Sequence, residues 1–296
     1  MLFNPKNYAR EHSDALSRQI VEKTIAFFEK KGLTRIKEDD QSKVWYQDFL
    51  DFIKEERIFA SLLTPAAYGA ETRWDMWRLS EFNEVLAFYG LCYWYAWQVT
   101  ILGLGPIWMG DNEEIKRRTA SLLNQGGVFA FGLSEKTHGA DLYATEMTLF
   151  PQPDGSWLAR GSKYYIGNGN CAALVSTFGR MADSGDYVFF AVRTDHPCYE
   201  CVKKIDTSGV RQAYVAEFAL HDYPITSADI LSQGKKAWNS SLNTINIGKF
   251  ELGCASVGIA THALYEAVHH AAGAALSRIF PMSGGSASRP MPGSSR

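Results

Sequence analysis

The chain has 296 residues, 46% of them hydrophobic, and Lys+Arg 30 against Asp+Glu 32 leave a formal net charge of −2. That length can bury one large domain or two to three subdomains, and the lack of a basic stripe disfavours nucleic acid as a partner. Five cysteines without regular spacing suit a reducing compartment rather than a disulfide framework, and the opening MLFNPKNYAREHSDAL lacks the apolar segment of a leader, so the cytoplasm is the expected location.

Residues 1–127 are expected to form a helical domain. Leu16, Ile20, Val21, Ile25 and Phe27 recur near helical spacing among charged residues, and Val44, Trp45, Phe49, Leu50 and Ile53 repeat the pattern. Pro65 and Gly69 punctuate a loop before a longer helix over 74–89. Residues 86–109 carry no charge over 24 positions, long enough to cross a bilayer. Gln98, Thr100 and the Gly103, Gly105, Pro106 group interrupt that stretch, and its aromatics form no belts at the two ends. It reads as a buried core helix, so no membrane span is expected. Asp111-Asn112 can cap a further helix whose acidic start, Glu113 and Glu114, and basic body suit the helix dipole.

From residue 128 the period changes to two. VFAFGL, MTLFP, SWLAR, KYYI, LVSTF, YVFFAVR and AYVAEFAL are strand-like runs, with hairpin turns at PDGS (153–156) and DSGD (183–186). The fold class is therefore α+β: a helical domain at 1–127, a central antiparallel β-domain at 128–237, and a partial C-terminal helical domain at 238–280. In that last segment Gly248, Gly253, Ala255, Ser256, Gly258 and Ala260 would allow close helix approach. Residues 281–296 are 11 of 16 Pro, Gly or Ser and are expected to be a disordered tail.

Familiar motifs are missing. HPCYEC (196–201) has a CxxC but no second pair and no H-x-E upstream, so a coincidental pair is favoured over zinc and no metal is expected. His262 and His269 share a helix face without a matching carboxylate. No nucleophile elbow, P-loop or G-x-G-x-x-G is present. Two strand ends remain, FAFGLSEKTHGAD (129–141) and KYYIGNGN (163–170). Each alone could be a hairpin corner. Together, finishing in small residues with free amides, they make a wall suited to a flat, hydrogen-bonding heterocycle.

These segments, with LLTPAAYGA (62–70), LGLGPIWMGDNEEIKRR (102–118), DGSWLARGSKYYIGNGN (154–170) and GKFELGCASVGIATHAL (248–264), resemble the acyl-CoA dehydrogenase family in order over about residues 40–275. The resemblance implies FAD as cofactor, an acyl-CoA substrate, an electron-transfer flavoprotein or similar acceptor, a homo-oligomer, and an N-terminal helical domain, a β-domain and a C-terminal four-helix bundle. It places Phe131, Leu133 and Ser134 at the flavin pyrimidine edge, Gly139 and Ala140 near the cofactor pyrophosphate, Tyr165, Ile166 and Gly167 beside the ring near N5, and Asn246 and Lys249 against the thioester substrate. Tyr165 stands for a usual Trp, Gly167 for a usual Thr, and Lys136 and Ala140 for a usual Pro and Ser.

No catalytic residue is assigned. The family's glutamate base comes from the late bundle or from the helix position that here is Gly248, and Glu251 lies about 300° round the helix from it. The bundle pattern gives way after about residue 275, so the expectation is a truncated, impaired family member. Its rivals are a catalytically silent flavin or acyl-CoA-binding or interaction module, and a related flavin oxidase or monooxygenase.

Overall fold

The computed structural model describes His12 and residues 14–273. The expected tail at 281–296, and the last residues of the C-terminal segment, lie outside the described residues.

Helices come first: α1 (Ala15–Lys31), α2 (Leu33–Gln41), α3 (Gln47–Glu55), α4 (Ile58–Leu63), α5 (Met76–Tyr89), α6 (Leu91–Met109) and α7 (Glu113–Asn124). Their starts follow side-chain chemistry. Asp75 caps α5 by accepting from the N–H groups of Trp77 and Arg78, and Asn112 caps α7 by accepting from Ile115 N–H. The 86–109 stretch is buried inside the protein, and no helix among the described residues is long and apolar enough to cross a membrane. It packs on α5, on the sheet and on the C-terminal helix, with Trp97, Ile101, Leu104 and Ile107 fully buried. Gly103 makes this possible, because a Cβ there would sit 2.6 Å from the backbone nitrogen of Ala130.

The sheet has eight strands: β1 (Phe129–Gly132), β2 (Thr148–Pro151), β3 (Trp157–Gly167), β4 (Leu174–Met181), β5 (Tyr187–Val192), β6 (Tyr199–Lys204), β7 (Val215–Ile225) and β8 (Ile230–Gln233). Their order is β6-β7-β3-β2-β4-β5-β8, with β1 added beside β4. Most pairs are antiparallel as expected, but β1 and β2 both run parallel to β4, so the sheet is mixed. In both cases the path to β4 runs through β3, which supplies the crossover that parallel pairing requires. SWLAR and KYYI merge into the single strand β3, which bends at register shifts between Ala159 and Gly161 and between Tyr164 and Ile166. Both turn signals hold, with Gly155 at φ 83° and Gly185 at φ 74°.

The chain ends its described part in α8 (Lys235–Gly273), 39 residues long. Ala237, Ser241, Thr244, Gly248, Glu251, Ala255 and Gly258 alternate four and three apart and make the buried face, set against α5 and α6. Gly258 allows the closest approach, since a Cβ would lie 2.6 Å from the Glu84 carbonyl oxygen. Gly253, Ser256 and Ala260, expected to help, are exposed instead, because they fall off this stripe.

Candidate flavin-site geometry

The ends of β1 and β3 meet. Tyr164 N–H donates to the Ser134 carbonyl at 2.9 Å, and the Ser134 hydroxyl donates to the Tyr164 carbonyl at 2.7 Å. Ser134 is thereby fixed through two of its polar groups, while its N–H finds no acceptor among the described residues. One residue on, the β3 bulge puts Tyr165 at φ 70°, and its ring is 53% exposed. A bulky residue in the left-handed region costs on the order of 1–2 kcal/mol, so neighbouring contacts must enforce it. Ile166 turns back into the core at 2% exposure.

Gly167 is tight. A Cβ there would lie 2.7 Å from the Tyr95 ring and 2.7 Å from a Val99 methyl, so only glycine lets α6 underpin the strand end. Burial, and after it the neighbouring Tyr165, raises the Tyr95 hydroxyl above its ordinary pKa. Asn168 does not leave its amide free. It is buried at φ 58°, and its Nδ2 donates to the carbonyls of Phe129 at 3.1 Å and Ala96 at 3.2 Å. That side chain locks the Gly-Asn turn to α6 and β1.

Of the residues singled out in the sequence, Leu133, Ser134, Tyr165, Ile166 and Gly167 converge at this junction. Phe131 lies just upstream on β1, half-buried and stacked on Phe189 with ring centroids 5.9 Å apart. Gly139 and Ala140 stand on the exposed loop after β1. Asn246 and Lys249 are exposed on α8, flanking Gly248, whose added Cβ would come 2.9 Å from Leu102. One stretch of α6 therefore serves two places: Tyr95 and Val99 lie beneath Gly167, and Gln98 and Leu102 lie beneath Gly248.

Glu251 does not reach either place. It is fully buried, its Oε2 accepts from Asn83 Nδ2, and the Asn83 Oδ1 in turn accepts from Trp94 at 2.7 Å and Trp97 at 3.1 Å. Burial pushes its carboxyl up to about 8.

Two side chains outside the expected set hold the junction. Lys163, fully buried, donates from Nζ to the Leu133 carbonyl at 2.9 Å and to Glu135 Oε1 at 2.7 Å. Burial would raise the Glu135 carboxyl. Lys163, the Thr145 hydroxyl and the Glu146 N–H outweigh it and hold the group below the ordinary carboxylate range. Glu135, His138 and Glu146 place ligand atoms within 4.8 Å of one another. Glu135 is already saturated by Lys163, Thr145 and the N–H groups of Glu146 and Met147, so the Lys163 ammonium fills the cation's role. Cys198 and Cys201 join no metal-ligating cluster among the described residues. Lys163 escaped notice in the sequence because a charged residue in a strand signals surface by default, and its buried partner Glu135 lies 28 positions away.

Comparison with known proteins bears on the fold that carries this junction. Residues 130–223 match the family model for the acyl-CoA dehydrogenase middle domain. This is the acyl-CoA dehydrogenase fold. The short-chain specific acyl-CoA dehydrogenase of Megasphaera elsdenii is 27% identical over 169 residues, covering 56% of this chain and 44% of that protein. The chain thus spans less than half the length of this curated relative. Among solved structures, butyryl-CoA dehydrogenase from Megasphaera elsdenii superposes with a TM-score of 0.81 at 22% identity, covering 90% of this chain and 71% of that one. An acyl-CoA dehydrogenase from Bacillus anthracis, solved in complex with FAD, gives 0.73 at 21% identity over 87% of this chain and 43% of that one. The acyl-CoA dehydrogenase fold thus extends well beyond the matched middle domain, across helices and sheet alike.

Proposed function

We propose that this chain is an acyl-CoA dehydrogenase-like flavoprotein whose described part supplies the flavin wall and one flank of the acyl-CoA site but no catalytic base. The supporting observation is the β1–β3 junction, where Ser134, whose N–H has no acceptor among the described residues, bonds Tyr164, the neighbour of the exposed Tyr165, on a strand end that Gly167 and Asn168 fix to α6. A donor next to a flat apolar face is what an isoalloxazine edge requires. FAD, when bound, would supply the hydride acceptor for α,β-dehydrogenation of an acyl thioester. Phe131, Leu133 and Ser134 would line its pyrimidine edge, Tyr165, Ile166 and Gly167 its central ring, and Gly139 and Ala140 the approach to its pyrophosphate. Asn246 and Lys249 project from α8 where the thioester would lie.

Proton removal needs a carboxylate within hydrogen-bond reach of the substrate. Gly248 has no side chain, and Glu251 is turned into the helical core against Asn83. The chain alone is therefore expected to bind FAD and to perturb the flavin spectrum on adding acyl-CoA, yet to turn over acyl-CoA slowly or not at all. Spectrophotometry of purified protein with an artificial electron acceptor checks this. Colourless protein that takes up no FAD defeats the flavin reading, and rapid turnover defeats the missing-base reading. The same family reading makes an electron-transfer flavoprotein the natural acceptor and a homo-oligomer the natural assembly, while the cysteine usage favours a reducing setting such as the cytoplasm.

A further inference from the structure

β1 pairs only with β4 in the sheet, so no ladder of backbone hydrogen bonds joins it to β3. Their ends are nonetheless held in fixed register. The Lys163 ammonium reaches the Leu133 carbonyl at 2.9 Å, Glu135 Oε1 at 2.7 Å and the Thr145 hydroxyl at 3.2 Å. Glu135 completes the knot by accepting from the Thr145 hydroxyl at 2.6 Å and from the N–H groups of Glu146 and Met147. These bonds fix the residue before and the residue after Ser134, while the next residue of β3, Tyr164, bonds Ser134 itself. Immediately beyond, the strand bulges and Tyr165 swings outward.

Resting on the flavin reading above, we propose that Lys163 and Glu135 are positioning residues: a buried ionic clamp that sets the distance between the Ser134 amide and the Tyr165 ring and so shapes the slot for the isoalloxazine. Their placement argues for this role more than for bulk stability. A buried ion pair is a weak stabiliser beside an apolar pair of equal volume, because desolvating both charges offsets most of their attraction. What such a pair does well is fix one geometry, since each partner left alone is an uncompensated buried charge. Here it fixes two strand ends that the sheet leaves unjoined. The clamp also explains the bulge. With Lys163 turned inward to β1 and Tyr164 bonded to Ser134, β3 regains its ladder with β7 only by inserting one extra residue, and that residue is Tyr165.

The test compares the full chain with Lys163→Met, with the double variant Lys163→Met/Glu135→Met, and with Lys163→Arg. FAD is titrated by fluorescence quenching, the visible spectrum of bound flavin is recorded, and Tm is measured alongside. The core variant Ile53→Val serves as a control that lowers Tm without touching the site. The clamp predicts at least about a tenfold rise in the FAD dissociation constant for both Met variants, a loss of fine structure in the flavin band, and partial recovery in Lys163→Arg. Ile53→Val should leave affinity and spectrum unchanged. Met variants matching the wild type in both readouts overturn the clamp while leaving the flavin reading intact. Wild-type protein that binds no FAD overturns both. Should Lys163→Met fail to fold, Thr145→Val removes one arm of the knot and must shift the same readouts in the same direction; unchanged readouts there overturn the proposal too.

Discussion

Glu251 shows how one buried side chain can govern pH behaviour far from the proposed chemistry. Its carboxyl, ordinarily near 4.5, is pushed up to about 8 by burial in the α5–α6–α8 interface, with Oε1 left unpartnered. The folded chain keeps this proton through the window in which the unfolded chain has lost it. Stability linked to Glu251 is thus fully present below the ordinary value and declines as pH rises from about 4.5 through about 8. Glu251→Gln keeps an acceptor for Asn83 and removes the titration. Urea unfolding should therefore give similar stabilities for the two proteins at about pH 5 and a more stable variant at about pH 8. A variant that tracks the wild type at both values would show that the carboxylate finds solvent. In the sequence Glu251 stands three residues after Gly248, a spacing that keeps both on one side of the helix, and its burial and its bond to Asn83, 168 positions away, could not be read there.

At the scale of elements, α8 is two-faced. Its inner stripe is packed, whereas Phe250 at 48%, Leu252 at 52%, Val257 at 55% and Leu264 at 48% stand exposed on the outside. By contrast α6 has no such outer row, because α5, α8 and the sheet enclose it. Exposed apolar rows promote self-association. Leu252→Glu with Val257→Lys should reduce light scattering at high protein concentration while changing unfolding free energy by no more than about 0.5 kcal/mol per site. A large loss of stability would place those side chains in contact with something inside the fold. Among the strands, β6 escaped notice in the sequence because it lies at the sheet edge, where YECVKK shows mostly solvent-facing positions and no clear alternation. The mixed character of the sheet was equally hidden, since strand direction depends on connection path rather than on the residues of a strand.

Across the whole molecule, helices and sheet share one interior. The same apolar cluster runs from Phe28, Phe49 and Trp97 in the helices to Phe129, Phe178 and Phe189 in the strands. A second cluster around Ala159, Phe190 and Phe218 lies within the sheet region alone. The contact of Gly103 on Ala130 and the Ser176 hydroxyl bond to the Gly103 carbonyl at 2.6 Å weld the layers further. Denaturant unfolding should consequently show helix signal by far-ultraviolet circular dichroism and aromatic signal by near-ultraviolet dichroism lost in a single, coincident transition. Two separated midpoints would mean that the helical layer and the sheet are independent units.

By itself the sequence determined the order of helical and β segments, the buried nature of 86–109, the turns at 153–156 and 183–186, and the family pattern at 129–141 and 163–170. All of these are local, written in periodicity, caps and small residues. Only the tertiary structure decided that β1 and β3 touch without being paired, that Asn168 is a lock rather than an open donor, and that Lys163 points inward to Glu135. Such facts depend on which residues meet across 28 to 72 positions of chain, a matter of packing and burial that no window of neighbouring residues contains.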